Sequence, residues 1–327
     1  MSVLVTGSAG HLGEAIVRRL RALGQRAVGV DRRSSPFTDH VGSICERQFV
    51  ESCMRQATRV IHAATLHKPH VVTHSWQDFI DTNVTGTLNL IEAAAAAGVA
   101  SFVYVSTTST FGLAPKPGGP AAAVWVTEEV TPRPKNIYGV TKLMAENLCE
   151  LAHRKHGLPL VVLRTSRFFP EQDDDPEMRC EYETSNLQAN ELLYRRVDLE
   201  DAVSAVSLAL DKAPDLRFGR YIISATTPFT PADLVLLGED APAAVRSRFA
   251  ECEALFNARG WRILPRIDRV YVNDRARAEL GWKPRYNFEH VLDCLRSNRD
   301  FRSPLARDVG SKGYHDRSFI EGPYPVE

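Results

Sequence analysis

The chain carries little that would tie it to a membrane, a nucleic acid or an oxidising compartment. Its six cysteines (Cys45, Cys53, Cys149, Cys180, Cys252 and Cys294) are scattered, and none forms a C-x-x-C. That argues against a zinc ribbon or a disulfide framework and fits a reducing compartment. Forty Lys and Arg balance forty Asp and Glu, so there is no basic footprint for a nucleic acid. Leu88 to Val105 is apolar-rich, but Asn89, Glu92, Gly98 and Ser101 break it into a helix end, a turn and a strand rather than a membrane span. The N-terminus enters a strand without a charged n-region and a long h-region, so no signal peptide and a cytoplasmic location are expected. The expected partner is a small molecule, with neither membrane nor nucleic acid.

What is present starts at the N-terminus. Ser2 to Thr6 (S-V-L-V-T) fits a buried parallel strand. Gly7, Gly10 and Gly13 follow, and Glu14 to Leu23 has helical periodicity. Strand, glycine turn and helix together form a dinucleotide cradle: one glycine for a tight turn, one for close approach to a pyrophosphate, one for helix-on-strand packing. The helix N-terminus offers free N–H groups to the phosphates. The spacing is G-x-x-G-x-x-G rather than the common G-x-G-x-x-G. A second strand, Arg26 to Val30, ends in Asp31, placed to accept hydrogen bonds from the adenosine ribose and to repel a 2′-phosphate. That points to NAD rather than NADP, although Arg32 and Arg33 could pair with a phosphate.

Val99 to Thr107 reads as a further buried strand, running into Thr108, Ser109, Thr110, Phe111 and Gly112. Hydroxyls at the C-terminal end of a parallel strand stand where open α/β sheets bind ligands. Thr107 is the expected working hydroxyl, while Ser106 and Ser109 suit turn capping. Tyr138 and Lys142, spaced Y-x-x-x-K, lie in a strongly helical stretch and share one face. A lysine ammonium beside a phenol lowers its pKa from about 10, as a general acid/base requires. The lysine can also hold the nicotinamide ribose.

Strands alternate with helices to about Ser166, the doubly wound pattern of an α/β, Rossmann-type parallel sheet. Leu158 to Thr165 is a strand, Asp198 to Lys212 a helix and Arg220 to Ser224 a strand. Residues 1–166 plus about 197–225 are therefore expected to form the dinucleotide-binding domain. About 167–196 plus 226–327 form a discontinuous substrate lobe with a C-terminal arm. Leu113 to Lys135, rich in Pro and Gly in its first half, reads as a long loop and a candidate lid. Pro170 to Pro176 reads as an acidic loop leaving the sheet. From Phe301 onward periodicity is lost, and an arm packed on a surface or a disordered tail is expected.

These segments resemble the extended short-chain dehydrogenase/reductase family, in its NAD-dependent epimerase/dehydratase branch, over nearly the whole chain. T-G-S-A-G-H-L-G (Thr6 to Gly13) is similar to that family's nucleotide loop, so His11 and Leu12 join the glycines as cofactor-binding residues. I-H-A-A (Ile61 to Ala64) resembles the segment passing under the cofactor, which implicates Ala63 and Ala64. D-T-N-V-T-G-T-L-N-L-I-E-A-A from Asp81 is similar to the central helix, with Asn83 at the family's asparagine position. V-S-T-T-S-T-F-G, Y-G-V-T-K and R-A-R-A-E-L-G-W-K-P match later motifs. The resemblance implies Tyr138 as acid/base, Lys142 as its electrostatic partner and Thr107 as the substrate-orienting hydroxyl. It also implies a homodimer through the helices near Ser75–Ala97 and Asn136–His156.

Departures from the family pattern matter. Dehydratases of the family carry an acidic pair after the hydroxyl, where this chain has Thr108 and Ser109; dehydration is not expected. Ser43 stands where an adenine-contacting aspartate is usual. R-F-F-P (Arg167 to Pro170) replaces an asparagine-containing stretch that holds nucleotide sugars. Phe168 and Phe169 with the acids Asp173 to Asp175 would disfavour a diphosphate, so a compact substrate without a nucleotide is expected. His62, His67, His70 and His74 cluster, but no carboxylate or thiol has ligand spacing and no metal is expected. His67, Lys68 and His70 instead suit the substrate mouth, where cations could attract an anion, with Arg164, Arg167, Arg195 or Arg196 as further candidates. The expected activity is NAD-dependent hydride transfer at a hydroxyl of a sugar or sugar-like substrate, as epimerase or dehydrogenase. The alternatives are a nucleotide-sugar 4-epimerase and, in another class, an NAD-binding redox-sensing module without turnover.

Overall fold

The structure is a computed structural model that describes residues 2–114, 119, 121–173, 175–315, 319 and 325. Its frame is a seven-stranded parallel sheet in the order β3-β2-β1-β4-β5-β7-β8. In chain order the strands are β1 (Ser2–Thr6), β2 (Arg26–Asp31), β3 (His40–Val41), β4 (Arg59–His62), β5 (Ser101–Thr107), β6 (Val124–Val126), β7 (Leu160–Thr165), β8 (Phe218–Ile223) and β9 (Arg269–Tyr271). The edge strand β3, two residues long, has no sequence signature of its own.

Strand alternation divides the core. Along β1, Val3 and Val5 face one layer with Leu12, Ile16, Val203 and Val206. Leu4 faces the other, with Val60, Leu90, Ile91 and Ala145. Both faces are covered by helices, which is why every residue of β1 is apolar or small and fully enclosed. The helices that matter to the site are α1 (His11–Ala22), α2 (Arg47–Met54), α3 (Trp76–Phe79), α4 (Gly86–Ala97), α5 (Ile137–His156), α6 (Pro176–Glu181), α7 (Thr184–Glu191) and α8 (Leu199–Leu216). A π-turn, Ile80–Thr85, joins α3 to α4. From β1 the chain runs outward through β2 to β3, then returns to β4 on the other side. The order therefore reverses between β1 and β4, and the crevice beyond their C-terminal ends is the expected ligand position.

A separate core gathers Tyr182, Leu187, Leu193, Phe229, Leu237, Phe256, Trp261 and Phe288. Beside it β6 pairs in parallel with β9, Trp125 opposite Val270. This corrects the reading of Leu113–Lys135 as an uninterrupted loop: its middle is a strand, with Val124 and Val126 enclosed against Phe111, Ile222 and Tyr271. Residues 115–118 and 120 of that stretch lie outside the described residues. No described helix is long and apolar enough to cross a membrane.

Candidate active site

The crevice is a cleft of about 780 Å³ running from the glycine turn after β1 to the loops after β7 and β9. At its first end the glycines are sterically required. Gly7 has φ +76°, and a Cβ there would lie 2.7 Å from the Ala64 nitrogen. A Cβ on Gly13 would lie 1.9 Å from the Gly7 carbonyl oxygen, because α1 starts directly against the turn. Gly10 caps α1 without a side chain, which leaves the helix N-terminus open to the cleft. Gly7, Gly10, His11, Leu12, Gly13, Asp31, Arg32, Arg33, Ala63 and Ala64 all line it. The Asp31 carboxylate accepts the Ala9 N–H (3.0 Å) and the Arg33 N–H (2.9 Å), which fixes its direction between turn and cleft. The turn that a Cβ would fill, the open helix end and the carboxylate at the tip of β2 fit a dinucleotide.

The middle of the cleft is built by β5 and α5. Asn136 caps α5 by accepting the Gly139 N–H (3.2 Å). A Cβ on Gly139 would sit 2.8 Å from the Ser109 carbonyl, so only glycine lets α5 begin this close to the turn after β5. That approach sets Tyr138 and Thr107 in the same wall of the cleft. Thr107 donates to Ser109 Oγ (3.2 Å) and accepts the Ser109 N–H (3.1 Å).

Electrostatics here depart from expectation. Burial pushes the Tyr138 phenol up to about 12, with Thr107 easing it downward; Lys142 exerts no resolved pull on it. Lys142 lies behind the cleft wall, donating from Nζ to the Val105 carbonyl (2.6 Å) with its ammonium 4.2 Å from the centre of the Tyr104 ring. Burial carries this lysine down to about 7, opposed by the charge of Glu146. The expected depression of the phenol by the lysine is thus absent, because desolvation acts on both groups and the lysine turns toward β5.

Three further residues stand elsewhere than expected. Asn83, in the π-turn, is enclosed and does not line the cleft. Its amide donates to the Leu66 carbonyl (2.9 Å) and Thr141 Oγ1 (3.0 Å) and accepts the Leu66 N–H (2.8 Å). It clamps the loop after β4 to α5, a use of a π-segment next to a site. Arg196 is also enclosed, pairing with Glu191 (2.8 Å) and donating to the Phe169 carbonyl (2.9 Å). Arg164 is likewise held away from the cleft by Glu146 (2.8 Å).

At the far end His67, Lys68, His70, Thr108, Arg167, Phe168, Phe169 and Arg195 line the cleft. So do Asp268, Arg269 and Tyr271, which carry no motif and reach the site only through the β6–β9 pairing. Arg167 and Arg195 converge on Glu191 (3.0 and 2.9 Å). Burial works to raise the Glu191 carboxyl, but Arg167, Arg196 and Arg195 outweigh it and hold it down at about 2. Asp173 pairs with both Arg167 and Arg195, and Asp175 caps α6 through the Glu177 N–H (2.9 Å). The described acids of this loop therefore have arginine and backbone partners rather than a free face that would repel an anion; Asp174 lies outside the described residues. Burial, with His70 adding to it, keeps the His67 imidazole well below its usual range and neutral. His62 bridges Thr6 (2.8 Å) and Thr87 (2.9 Å) inside the sheet. Among the described residues no group of three or more His, Cys, Asp or Glu is placed to hold a metal.

The profile of the NAD dependent epimerase/dehydratase family matches residues 3–217. The chain belongs to that family. Its relatives include a dTDP-glucose 4,6-dehydratase of Streptomyces antibioticus, 28% identical, which the match covers over 94% of this chain and 96% of the relative. A UDP-glucose 4-epimerase of Rhizobium meliloti (strain 1021) is 31% identical over 50% of each chain. Among solved structures, a short-chain dehydrogenase/reductase superfamily protein from Agrobacterium tumefaciens with bound NAD superposes with a TM-score of 0.60 at 25% identity, covering 91% of this chain and 98% of that one. The protein is thus an NAD-dependent enzyme of the epimerase/dehydratase family with the doubly wound fold that family implies. Both sequence relatives are named as enzymes, which leaves the redox-sensing alternative without support.

Proposed function

We propose that the protein oxidises, and in the epimerase case re-reduces, a hydroxyl of a sugar or sugar-like substrate without eliminating water. The observation that carries this reading is that Tyr138 and Thr107 line one cleft with the glycine cradle. NAD bound in the cradle supplies the hydride acceptor. Tyr138 would accept the hydroxyl proton, Thr107 would orient that hydroxyl, and Lys142, four residues along the same helix, would stabilise the phenolate on leaving the Val105 carbonyl. With the phenol held at about 12, Tyr138 needs that lysine to work as a base near neutrality.

The absence of elimination rests on Thr108 and Ser109, since neither can protonate a leaving hydroxyl as a carboxylic acid does. Asp268 is the carboxylate at the substrate end, and it is paired with Arg269 (2.8 Å). Lys68, Arg167, Arg195 and Arg269 put ammonium and guanidinium donors at this end, which suits an oxygen-rich substrate, and Phe168 with Phe169 favours a compact one. Residues 1–166 plus about 197–225 serve as the dinucleotide domain and the remainder as the substrate lobe. Trp76 (72% exposed), Leu88, Val140, Met144 and Leu151 leave an apolar face across α3, α4 and α5, which supports an isologous dimer. Free sugars, sugar acids and nucleotide sugars, screened by NADH absorbance and by isomer analysis, test the reading. A 4,6-dehydrated keto product from any of them would overturn it; micromolar binding of UDP, GDP or dTDP would replace the compact substrate with a nucleotide sugar.

A further inference from the structure

The last helix among the described residues, Pro304–Val309, packs against α1, and Gly310 then turns the backbone at φ 60°, ψ −162°, a conformation essentially confined to glycine. The next five residues do not leave the surface. They cross the cleft, and Lys312, Gly313, Tyr314 and His315 all line it.

The crossing is fastened at both banks. On the cradle side Glu171 gathers the arm: its carboxylate accepts the Ser311 hydroxyl (2.8 Å), the Lys312 N–H (3.1 Å) and the Tyr314 hydroxyl (3.0 Å). The same carboxylate lies 2.8 Å from His11 Nε2, at the first turn of α1. Lys312 adds an ion pair with Glu14 on that helix. On the opposite bank, His70 Nε2 meets the Tyr314 carbonyl (3.2 Å) and His315 Nε2 meets the Pro69 carbonyl (2.9 Å). Between the banks the Tyr314 ring stands edge-on to His67 (4.8 Å) and Phe169 (5.9 Å). Glu171 and Tyr314 are both nearly inaccessible, at 9% exposure each. Burying a carboxylate is costly unless it is fully paired, and here most of its partners come from the arm. That is the signature of a closed latch rather than a tail resting on a surface.

We propose that Ser311–His315 is a strap, latched on Glu171, that closes over the dinucleotide cleft and must lift before the cofactor can leave. The inference rests on the cradle being the NAD site. The strap runs from the phosphate-binding end of α1 to the loop after β4, so a dinucleotide lying along the switch point is beneath it. Release of the cofactor then requires loss of the Glu171 bonds, and exchange is slow relative to binding in an open cleft.

The test measures cofactor retention rather than turnover. Full-length protein is loaded with NAD, desalted and chased with excess unlabelled NAD, and bound NAD is followed over time. The same is done for a Lys312→Ala/Tyr314→Ala double variant and for Tyr314→Phe. The unmodified protein is expected to retain NAD through desalting. The double variant should release it at least tenfold faster, and Tyr314→Phe, which loses only the hydroxyl bond to Glu171, several-fold faster. Equal release rates in unmodified protein and Tyr314→Phe, with NAD bound by both, would overturn the strap; that variant decides the matter if the double variant fails to fold. No NAD binding by the unmodified protein even at millimolar concentration would instead overturn the reading of the cradle.

Discussion

The two ends of the cleft are built on opposite principles. At the cradle, the glycine turn and the start of α1 lie within a few residues of one another, Asp31 and Ala63–Ala64 join them from the tips of the neighbouring strands, and backbone geometry does most of the work. At the substrate end they come from the loop after β4, the turn after β5, the loop after β7, the start of β9 and the C-terminal strap. Side-chain charge dominates there: Arg167 and Arg195 line the cleft while Glu191 and Asp173 neutralise them from behind. A cradle made of backbone tolerates few substitutions but asks little of the rest of the fold. An end assembled from charged side chains of distant segments can be retuned residue by residue, and it depends on buried counter-charges for its stability.

The largest expected effect separates chemistry from both ends. Tyr138→Phe keeps the ring and removes the proton acceptor. Turnover should fall by ~10²–10⁴, with NAD titration nearly unchanged; near-normal turnover would remove Tyr138 from its role.

The second breaks the counter-charge at the substrate end. Glu191→Ala strands three arginines, two of them largely enclosed, and should cost on the order of 3–5 kcal/mol of stability, read as a lower denaturant midpoint. The pH dependence has a definite sign. The folded Glu191 carboxyl, at about 2, lies below the ordinary 4.5. Its contribution is complete above about pH 4.5 and is lost as the pH falls toward 2. Acid titration of Glu191→Gln should therefore lack part of the stability loss that the unmodified protein shows in that window. An identical profile would mean the arginines are balanced elsewhere.

The third tests the cradle. Asp31→Ala should weaken NAD about tenfold, the worth of one charged hydrogen bond, and should narrow the preference over NADP. Asp31→Asn retains an acceptor for the Ala9 N–H but not the charge. If both variants bind NAD equally poorly, the charge is what matters; if Asn behaves as the unmodified protein, Asp31 acts only by bracing the turn.

The smallest expected effect lies between the two ends. Ser109→Ala removes the acceptor of the Thr107 hydroxyl and should lower turnover about fivefold, as befits one neutral hydrogen bond of about 1 kcal/mol. A drop as large as that of Tyr138→Phe would make Ser109 a reacting group rather than a support for Thr107.

What could be read in the sequence follows this same division. The sheet, the cradle, Asp31 and the Tyr138–Lys142 spacing rest on local patterns, because the period of a strand, the glycines of a turn and the face of a helix are set by neighbouring residues. Asn83 and Lys142 stood out by motif, yet their surroundings did not. The chain alone does not reveal that the π-turn aims Asn83 at Leu66 and Thr141, or that Lys142 rests on Val105 and Tyr104. The β6–β9 pair joins segments whose strands are only three residues each, too short to show a period.

The amino-acid sequence by itself determined the fold class, the family and the glycine turn after β1, since these are consequences of hydrophobic period and backbone sterics. Tertiary structure alone decided which charges line the cleft, which are paired with Glu191, Asp173 and Glu146, and that Ser311–His315 crosses the cleft to Glu171. Those outcomes depend on desolvation and on contacts between residues far apart in the chain, such as His11 with Lys312 (3.1 Å), and neither quantity exists until the chain has folded.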